Sequence, residues 1–376
     1  MAQASSVALV LSGGGARGAY QAGALAAIGE RCGSKHPFSI ITGVSAGAIN
    51  TAYLAGYRGE FLNACRDLSR AWMSLCTEKV FRTDFPTLAR TITRWAWHLS
   101  TGRSLAPKLT GLLDTQPLRE FISGYLRQGS IRRNIEQGSL RAAALTAVRY
   151  STGQAVTFVE GEEGIPMWQR TGRHSIRARL GVDHVLASSA LPIIFPAAKL
   201  DGEYYGDGAI RHNSPLAPAI HLGADKLMAI TLAYLRSPKE IEESQVEGYP
   251  PPGQIMGMIF NSVFLDGVES DAERLLRINR TVGLLPNGMT HPEGLRPIRL
   301  LRLRPSRDLG KLSSGLSKTL PRSLRRLMGA LGTMESSTPD FLSYLLFERP
   351  YIERLLELGY QDAKAQGDQI ERFLEE

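Results

Sequence analysis

Cysteine is scarce in this chain: Cys32, Cys65 and Cys76 are the three among 376 residues. An odd number without paired ligand spacing argues against a disulfide framework or a zinc site, so the thiols are expected to be reduced and structural. No stretch approaches the roughly 20 consecutive apolar residues of a membrane-spanning helix, which excludes a transmembrane anchor. The start, Met1 to Leu11, has neither a basic leading region nor a small-residue cleavage site, and reads as the mature start of a cytoplasmic protein. No internal repeat is found. What is present is ordinary globular material, 43% hydrophobic and 21% charged, enough for a sizeable core in one large α/β domain or two smaller ones.

Charge is unevenly spread. The net charge is +8, yet Arg296 to Arg326 alone holds ten basic side chains against the single acid Asp308, leaving the rest of the chain near neutrality. Such a concentration suggests attraction to a polyanion, an anionic lipid surface or nucleic acid; a solvated basic face is the plain alternative.

Along the chain, Ser6 to Ser12 is a short β-branched run closed by three glycines, which predicts a buried strand entering a tight turn. An alanine-rich helix is expected over Ala16 to Glu30, a second strand over Phe38 to Val44 and a second alanine-rich helix over Ala46 to Gly56. This β-turn-α-β-turn-α order implies a parallel sheet with helices on its faces. From Thr77 to about Gln137 longer amphipathic stretches, with Leu88, Ile92, Trp95 and Leu99 at helical spacing and Trp97 beside them, predict a helical insertion. Strand-like runs return at 140–150, 155–159, 226–233 and 298–303. Ser237 to Gln254 reads as a polar, proline-rich surface loop, and Ser306 to Glu376 as a helical, polar tail.

Gly13, Gly15 and Gly18 satisfy G-x-G-x-x-G between a strand and a helix, a dinucleotide-binding pattern on its face. The acid that would hold a ribose at the end of the second strand is absent, and no Gly-Lys-Ser/Thr closes a phosphate loop. That second turn instead carries Gly43-Val44-Ser45-Ala46-Gly47, G-x-S-x-G at a strand-to-helix junction. A serine on a sharp turn needs small neighbours so that backbone and helix approach closely while Oγ points outward. Ser45 is therefore a candidate nucleophile, with a simple helix cap as the alternative. In a parallel sheet the two turns share one edge, so the glycine loop, Gly13, Gly14, Gly15 and Ala16, faces Ser45 and offers backbone N–H groups as an oxyanion hole.

A serine nucleophile needs a base. The seven histidines are His36, His98, His174, His184, His212, His221 and His291; the last three follow Ser45 in an order a Ser-acid-His triad allows, but none sits in an obvious catalytic turn. Tyr204-Tyr205-Gly206-Asp207-Gly208-Ala209 instead places an acid between glycines, as a base for Ser45 or as an ordinary turn residue.

Taken together, Gly13-Gly14-Gly15-Ala16-Arg17-Gly18, Gly43-Val44-Ser45-Ala46-Gly47, Ala187-Ser188-Ser189-Ala190-Leu191-Pro192 and Asp207-Gly208-Ala209 closely resemble the motifs of the patatin-like phospholipase family, in the family's order, over about 7–233. The resemblance implies a three-layer α/β/α fold with a mostly parallel central sheet and a helical insertion at about 77–137. It places the catalytic domain at 5–235; beyond it the residues themselves suggest a loop and helix region at 236–305, whose late strand completes the core, and a basic, then polar, helical region at 306–376. It also implies a Ser45–Asp207 dyad, an oxyanion held by the glycine loop, and no metal or organic cofactor. Arg17 matches the family's loop Arg or Lys, steering a phosphate or supporting the loop. Leu191 to Pro196, Pro192 included, is expected to shape the acyl pocket or to form a structural turn. Asp-Gly-Ala stands where many members have Asp-Gly-Gly, a change small enough to predict no loss.

The expected activity is hydrolysis of a fatty acyl ester of a phospholipid or lysophospholipid through an acyl-serine. An acyltransferase using the same dyad and a non-catalytic basic module binding lipid or nucleic acid are the alternatives; the missing nucleic-acid motif speaks against a nucleic-acid partner. Leu324, Leu327, Met328 and Leu331, interspersed with Arg322, Arg325 and Arg326, resemble a basic interfacial helix, and a core-packed helix has the same spacing. Peripheral contact with the inner face of an anionic membrane would follow from the first.

Overall fold

The computed structural model describes residues 6–34, 36–82, 93, 111–242, 249–286, 289, 291, 294–330, 332 and 340–375. Its strands form a sheet of ten, ordered β10-β9-β1-β2-β3-β4-β6-β5, with β8 added to β3 and β7 to β8. The strands are β1 (Val7–Leu11), β2 (Ile40–Val44), β3 (Ala142–Arg149), β4 (Gln154–Gly161), β5 (Gln169–Arg170), β6 (Arg173–Arg177), β7 (Ala198–Leu200), β8 (Glu203–Asp207), β9 (Lys226–Ile230) and β10 (Arg299–Leu303). From β10 to β3 every pairing is parallel. Beyond β3 the sheet is mixed, since β4 and β8 both run antiparallel to β3.

β1 is buried on both faces, as its unbroken apolar sequence VALVL requires. Leu9 and Leu11 point into one core and Ala8 and Val10 into the other. The first core is covered by α1 (Ala19–Cys32), α2 (Ala46–Gly56) and α3 (Phe61–Met73); the second is covered by the 217–221 helix and a longer helix at 266–283. This is the expected three-layer α/β/α arrangement.

The first half of the chain follows its pattern where it is described, and two later regions depart from it. Beyond Thr77, the residues at 88, 92, 95, 97 and 99 that suggested a helical insertion lie outside the described residues, while 111–137 contains α4 (Gln116–Tyr125) and a short helix at Ser130–Glu136. The stretch read as a polar loop near 237–254 holds a short helix, Pro238–Glu242, and then α5 (Pro252–Phe264), followed by α6 (Asp266–Gly283).

The second departure is the larger. The tail is helical as expected, but it is not a polar appendage: α8 (Asp340–Leu345) and α9 (Arg349–Ala365) bury Phe341, Leu342, Tyr344, Tyr351, Ile352 and Leu355 in the first core. α9 crosses α1 backbone to backbone. A Cβ at Gly23 would lie 2.0 Å from the Leu356 carbonyl oxygen and one at Gly359 2.0 Å from that of Tyr20, so glycine on both helices sets their separation. The basic stretch before it is anchored as well. Helix α7 (Arg322–Ala330) turns Leu324 and Met328 into the same core, and Leu331 lies outside the described residues. The apolar face that an interfacial helix would offer to lipid is thus occupied by protein. Three arginines of the basic segment are likewise engaged, Arg296 with Asp225 at 2.6 Å, Arg302 with Glu269 at 2.8 Å and Arg304 with Glu269. No helix among the described residues is long and apolar enough to cross a membrane.

Candidate active site

The turn from β2 into α2 holds Ser45 at φ 56° and ψ −125°, a positive φ that a serine adopts only under constraint. The constraint is steric. A Cβ at Gly47 would stand 2.2 Å from the Leu11 carbonyl oxygen, and one at Gly43 would stand 2.3 Å from that of Gly47. Only glycine lets the helix start this close to the end of β1. Ser45 occupies the N-cap of α2 without spending its hydroxyl on the helix, so Oγ is left for chemistry beside the positive end of the helix dipole.

Sheet register brings the acid to the serine. β2 ends with Val44 opposite Thr146 of β3, and β8 ends with Asp207 opposite Ala147, the next residue of β3. Two strands arriving from opposite directions therefore finish head to head along one neighbour. Asp207 closes β8, and its Oδ1 accepts the Ala209 N–H at 2.9 Å, a backbone bond indifferent to whether alanine or glycine follows Gly208. The side chain is fully buried, and burial pushes its pKa up to about 7, opposed by the nearby Ser45 hydroxyl and the Ala209 N–H. Oδ2 is buried with no partner in full hydrogen-bonding geometry. The Ser45 hydroxyl thus lies near enough to the carboxylate to counter part of the effect of burial.

The glycine loop packs directly on the serine. A Cβ at Gly13 would lie 2.9 Å from Ser45 Cβ. Among the described residues no acceptor is found for the N–H of Gly13 or Gly14, whereas Arg17 N–H bonds the Gly14 carbonyl at 3.2 Å and closes the turn. Gly15 has φ 57°, and its missing side chain makes room for the Tyr344 carbonyl oxygen, 2.2 Å from where a Cβ would stand.

Arg17 is anchored to later parts of the chain, and it also borders the larger cleft beyond the glycine loop. The guanidinium is buried. It donates to Ser343 Oγ at 2.8 Å, Asn261 Oδ1 at 3.2 Å and Asp340 Oδ1 at 3.0 Å, and it lies over the Tyr344 ring. It does not line the cavity at Ser45. The partners of Arg17 lie 244 to 326 residues away along the chain, and no local pattern announces them.

That cavity is apolar, bordered by Trp72, Leu75, Leu118, Phe121, Leu191, Phe195 and Phe347 among others. Its volume of about 20 Å³ is room for roughly one water. Leu191 and Phe195 border it and Pro192 does not; Pro192 lies in the turn where Ile193 has φ 69°. Trp72, Phe121 and Phe347 were not singled out from sequence, because an apolar residue at helical spacing looks the same whether it fills a core or walls a pocket. A cleft of about 1130 Å³ lies beyond the glycine loop, against Leu232, Met258 and Asp308; Ser45 does not border it, so size is no guide to the chemistry here.

Among the described residues no histidine is hydrogen-bonded to Ser45 or Asp207. His36 and His212 are held neutral by burial, their pKa pushed down to about 4. His184 accepts the Gly181 N–H at the start of its own helix, and His221 stacks on Trp168.

The model of a family described as patatin-like phospholipase matches residues 9–220. No curated protein matches the chain. Among solved structures, human GIVD cytosolic phospholipase A2 is 13% identical with a TM-score of 0.49, covering 98% of this chain and 60% of that one. VipD from Legionella pneumophila is 13% identical at a TM-score of 0.37, with 99% and 67% covered. The type III effector ExoU is 14% identical at 0.39, with 99% and 54% covered. The chain spans about three fifths of the human phospholipase chain it matches.

Proposed function

The chain belongs to the patatin-like phospholipase family, and from that premise we propose that it is a lipid acyl hydrolase that cleaves fatty acyl esters of phospholipids or lysophospholipids with a Ser45–Asp207 dyad. The observation that carries the reading is the meeting of a strained serine and a desolvated carboxylate beside unengaged loop amides, with an apolar cavity at the serine.

In the first half-reaction Ser45 Oγ attacks the ester carbonyl carbon and its proton passes to Asp207. A base with a pKa near 7 is well matched to this work at neutral pH, being ionised enough to accept the proton and basic enough to hold it. The tetrahedral oxyanion is held by loop N–H groups at Gly13 and Gly14; one such donor is typically worth about 3 kcal/mol. Collapse expels the alcohol, which takes the proton from Asp207, and leaves an acyl-serine. Water then gives a proton to Asp207 and attacks the acyl carbonyl, releasing fatty acid and returning the proton to Ser45. The acyl chain lies along the apolar wall of Phe121, Phe195 and Phe347, which must part to admit it, because the closed cavity is far too small for an alkyl chain.

Fatty acid release from phospholipid and lysophospholipid vesicles, together with labelling by a fluorophosphonate ester, tests this reading. Ser45→Ala and Asp207→Ala, each folded, are expected to lose turnover, and Ser45→Ala to lose labelling. Full ester cleavage by folded Ser45→Ala protein would end the proposal.

A further inference from the structure

We propose that Ser188 is a positioning residue for the reaction at Ser45, its hydroxyl tying the backbone of the nucleophile's turn to the strand on which Asp207 is registered. The proposal rests on the dyad reading above and adds the part that sets the distance between its two members.

Ser188 ends a short helix, Val182–Ser188, and is completely buried. The Ser45 N–H donates to its Oγ at 3.1 Å, and that Oγ donates to the Thr146 carbonyl oxygen at 2.6 Å. The direction of both bonds is unambiguous. A backbone N–H can only donate and a carbonyl oxygen can only accept, so the single hydroxyl proton goes to Thr146 and a lone pair receives Ser45.

Both ends of this bridge are parts of the site. Ser45 needs outside support to keep its positive φ, because a strained residue persists only where its surroundings hold it. Thr146 pairs with Val44 across the sheet, and the next residue, Ala147, pairs with Asp207. The Thr146 carbonyl also lies 2.1 Å from where a Cβ on Gly208 would stand, so it abuts the turn that carries the acid. One hydroxyl thus joins the serine turn, the strand both catalytic strands share, and through it the aspartate.

Ser189 shows what an ordinary serine at this helix end does. Its hydroxyl donates to Val185 four residues back at 2.8 Å, a local bond that finishes the helix. Ser188 makes no such local bond and reaches 143 and 42 residues away instead. Engagement of the Ser45 N–H has a further consequence: that amide is not available to an oxyanion, which leaves this task to the glycine loop.

The test compares kcat and KM on lysophospholipid, and the rate of fluorophosphonate inactivation, for wild-type protein and the variants Ser188→Ala, Ser188→Thr, Ser188→Cys and Ser45→Ala. Alanine removes both bonds and lets the nucleophile drift. A displacement of this kind costs about 100-fold in kcat and in inactivation rate, with KM changed by less than about threefold. Threonine keeps the hydroxyl and is expected to restore most of the rate. If threonine does not fold, judged by circular dichroism, the cysteine variant serves in its place, its thiol a weak acceptor giving a rate between those of alanine and wild type. A kcat for Ser188→Ala within about twofold of wild type, or alanine equal to every folded conservative variant, overturns the proposal. Turnover retained by Ser45→Ala would sink the dyad itself, whereas an inactive Ser45→Ala beside a fully active Ser188→Ala would sink this inference alone.

Discussion

The two glycine turns at the carboxyl edge of the sheet look alike in sequence and are built in opposite ways. The turn after β2 is shaped by its immediate surroundings: Gly43 and Gly47 let α2 start against the end of β1, and that contact forces Ser45 into its unusual conformation. The turn after β1 is held from afar. Its Arg17 reaches Asn261, Asp340 and Ser343, and the Tyr344 carbonyl fills the space beside Gly15. The serine turn is thus posed mainly by close backbone packing, with one hydrogen bond from Ser45 N–H to Ser188, whereas the glycine loop is anchored by a charged side chain that reaches the far end of the chain.

The strongest way to break this contrast is at the local turn. Gly47→Ala places a methyl 2.2 Å from the Leu11 carbonyl oxygen, backbone that cannot move aside. The expected cost is more than about 3 kcal/mol, with little folded protein recovered and no turnover; a wild-type melting temperature would show that the turn is not set by this packing. Next comes the borrowed support. Arg17→Met leaves Asp340 without its buried partner, a loss of about 3 kcal/mol. A slackened loop should also lower kcat about 100-fold, read by thermal melts and steady-state turnover. Unchanged kcat in that variant would mean that the loop holds its own shape.

The pH dependence sharpens the serine side of the comparison. Asp207 must be ionised to act as base, so kcat/KM is expected to fall as the pH drops through about 7. An acid limb near 4 would refute the account of a desolvated base. The same burial penalises the folded state. Because the folded pKa is raised, the carboxyl is neutral in both states at low pH and costs nothing there. The penalty grows as the pH rises from about 4, the ordinary Asp value, and is complete above about 7. Asp207→Asn, inactive but still able to accept the Ala209 N–H, should therefore melt higher than wild type at pH 8, and the gap should narrow towards pH 4. The smallest effect is expected where neither turn is touched. Replacing Arg322, Arg325 and Arg326 with serine should change stability by less than about 0.5 kcal/mol and leave sedimentation with anionic vesicles unaltered, since Leu324 and Met328 face the core.

Particular residues show how far the sequence could be read. β1, β2 and the helices after them follow from apolar runs, glycine turns and alanine-rich stretches, each a local signal. Asp207 was visible as an acid between glycines, but β7 and β8 were not, because Ala198–Leu200 and Glu203–Asp207 are short, half-exposed and mixed in polarity. The tail misled through averaging: α9 alternates charged and apolar residues, and its polar face masks the one that buries Tyr351, Ile352 and Leu355. Pro192 was credited along with the whole Leu191 to Pro196 segment, although alternate sides of a tight turn cannot all face one cavity.

Residue order alone established the chemistry on offer: a serine between glycines, an acid between glycines, and a loop with bare amides, because each depends on neighbours within a few positions. That the hydroxyl and the carboxylate meet, and that the loop between them stays open, was decided in three dimensions. The first depends on β2 and β8 ending on adjacent residues of β3, the second on an arginine gripping helices more than two hundred positions downstream. Strand register and long-range ion pairing are properties of the assembled sheet and core, and no short stretch of sequence contains them.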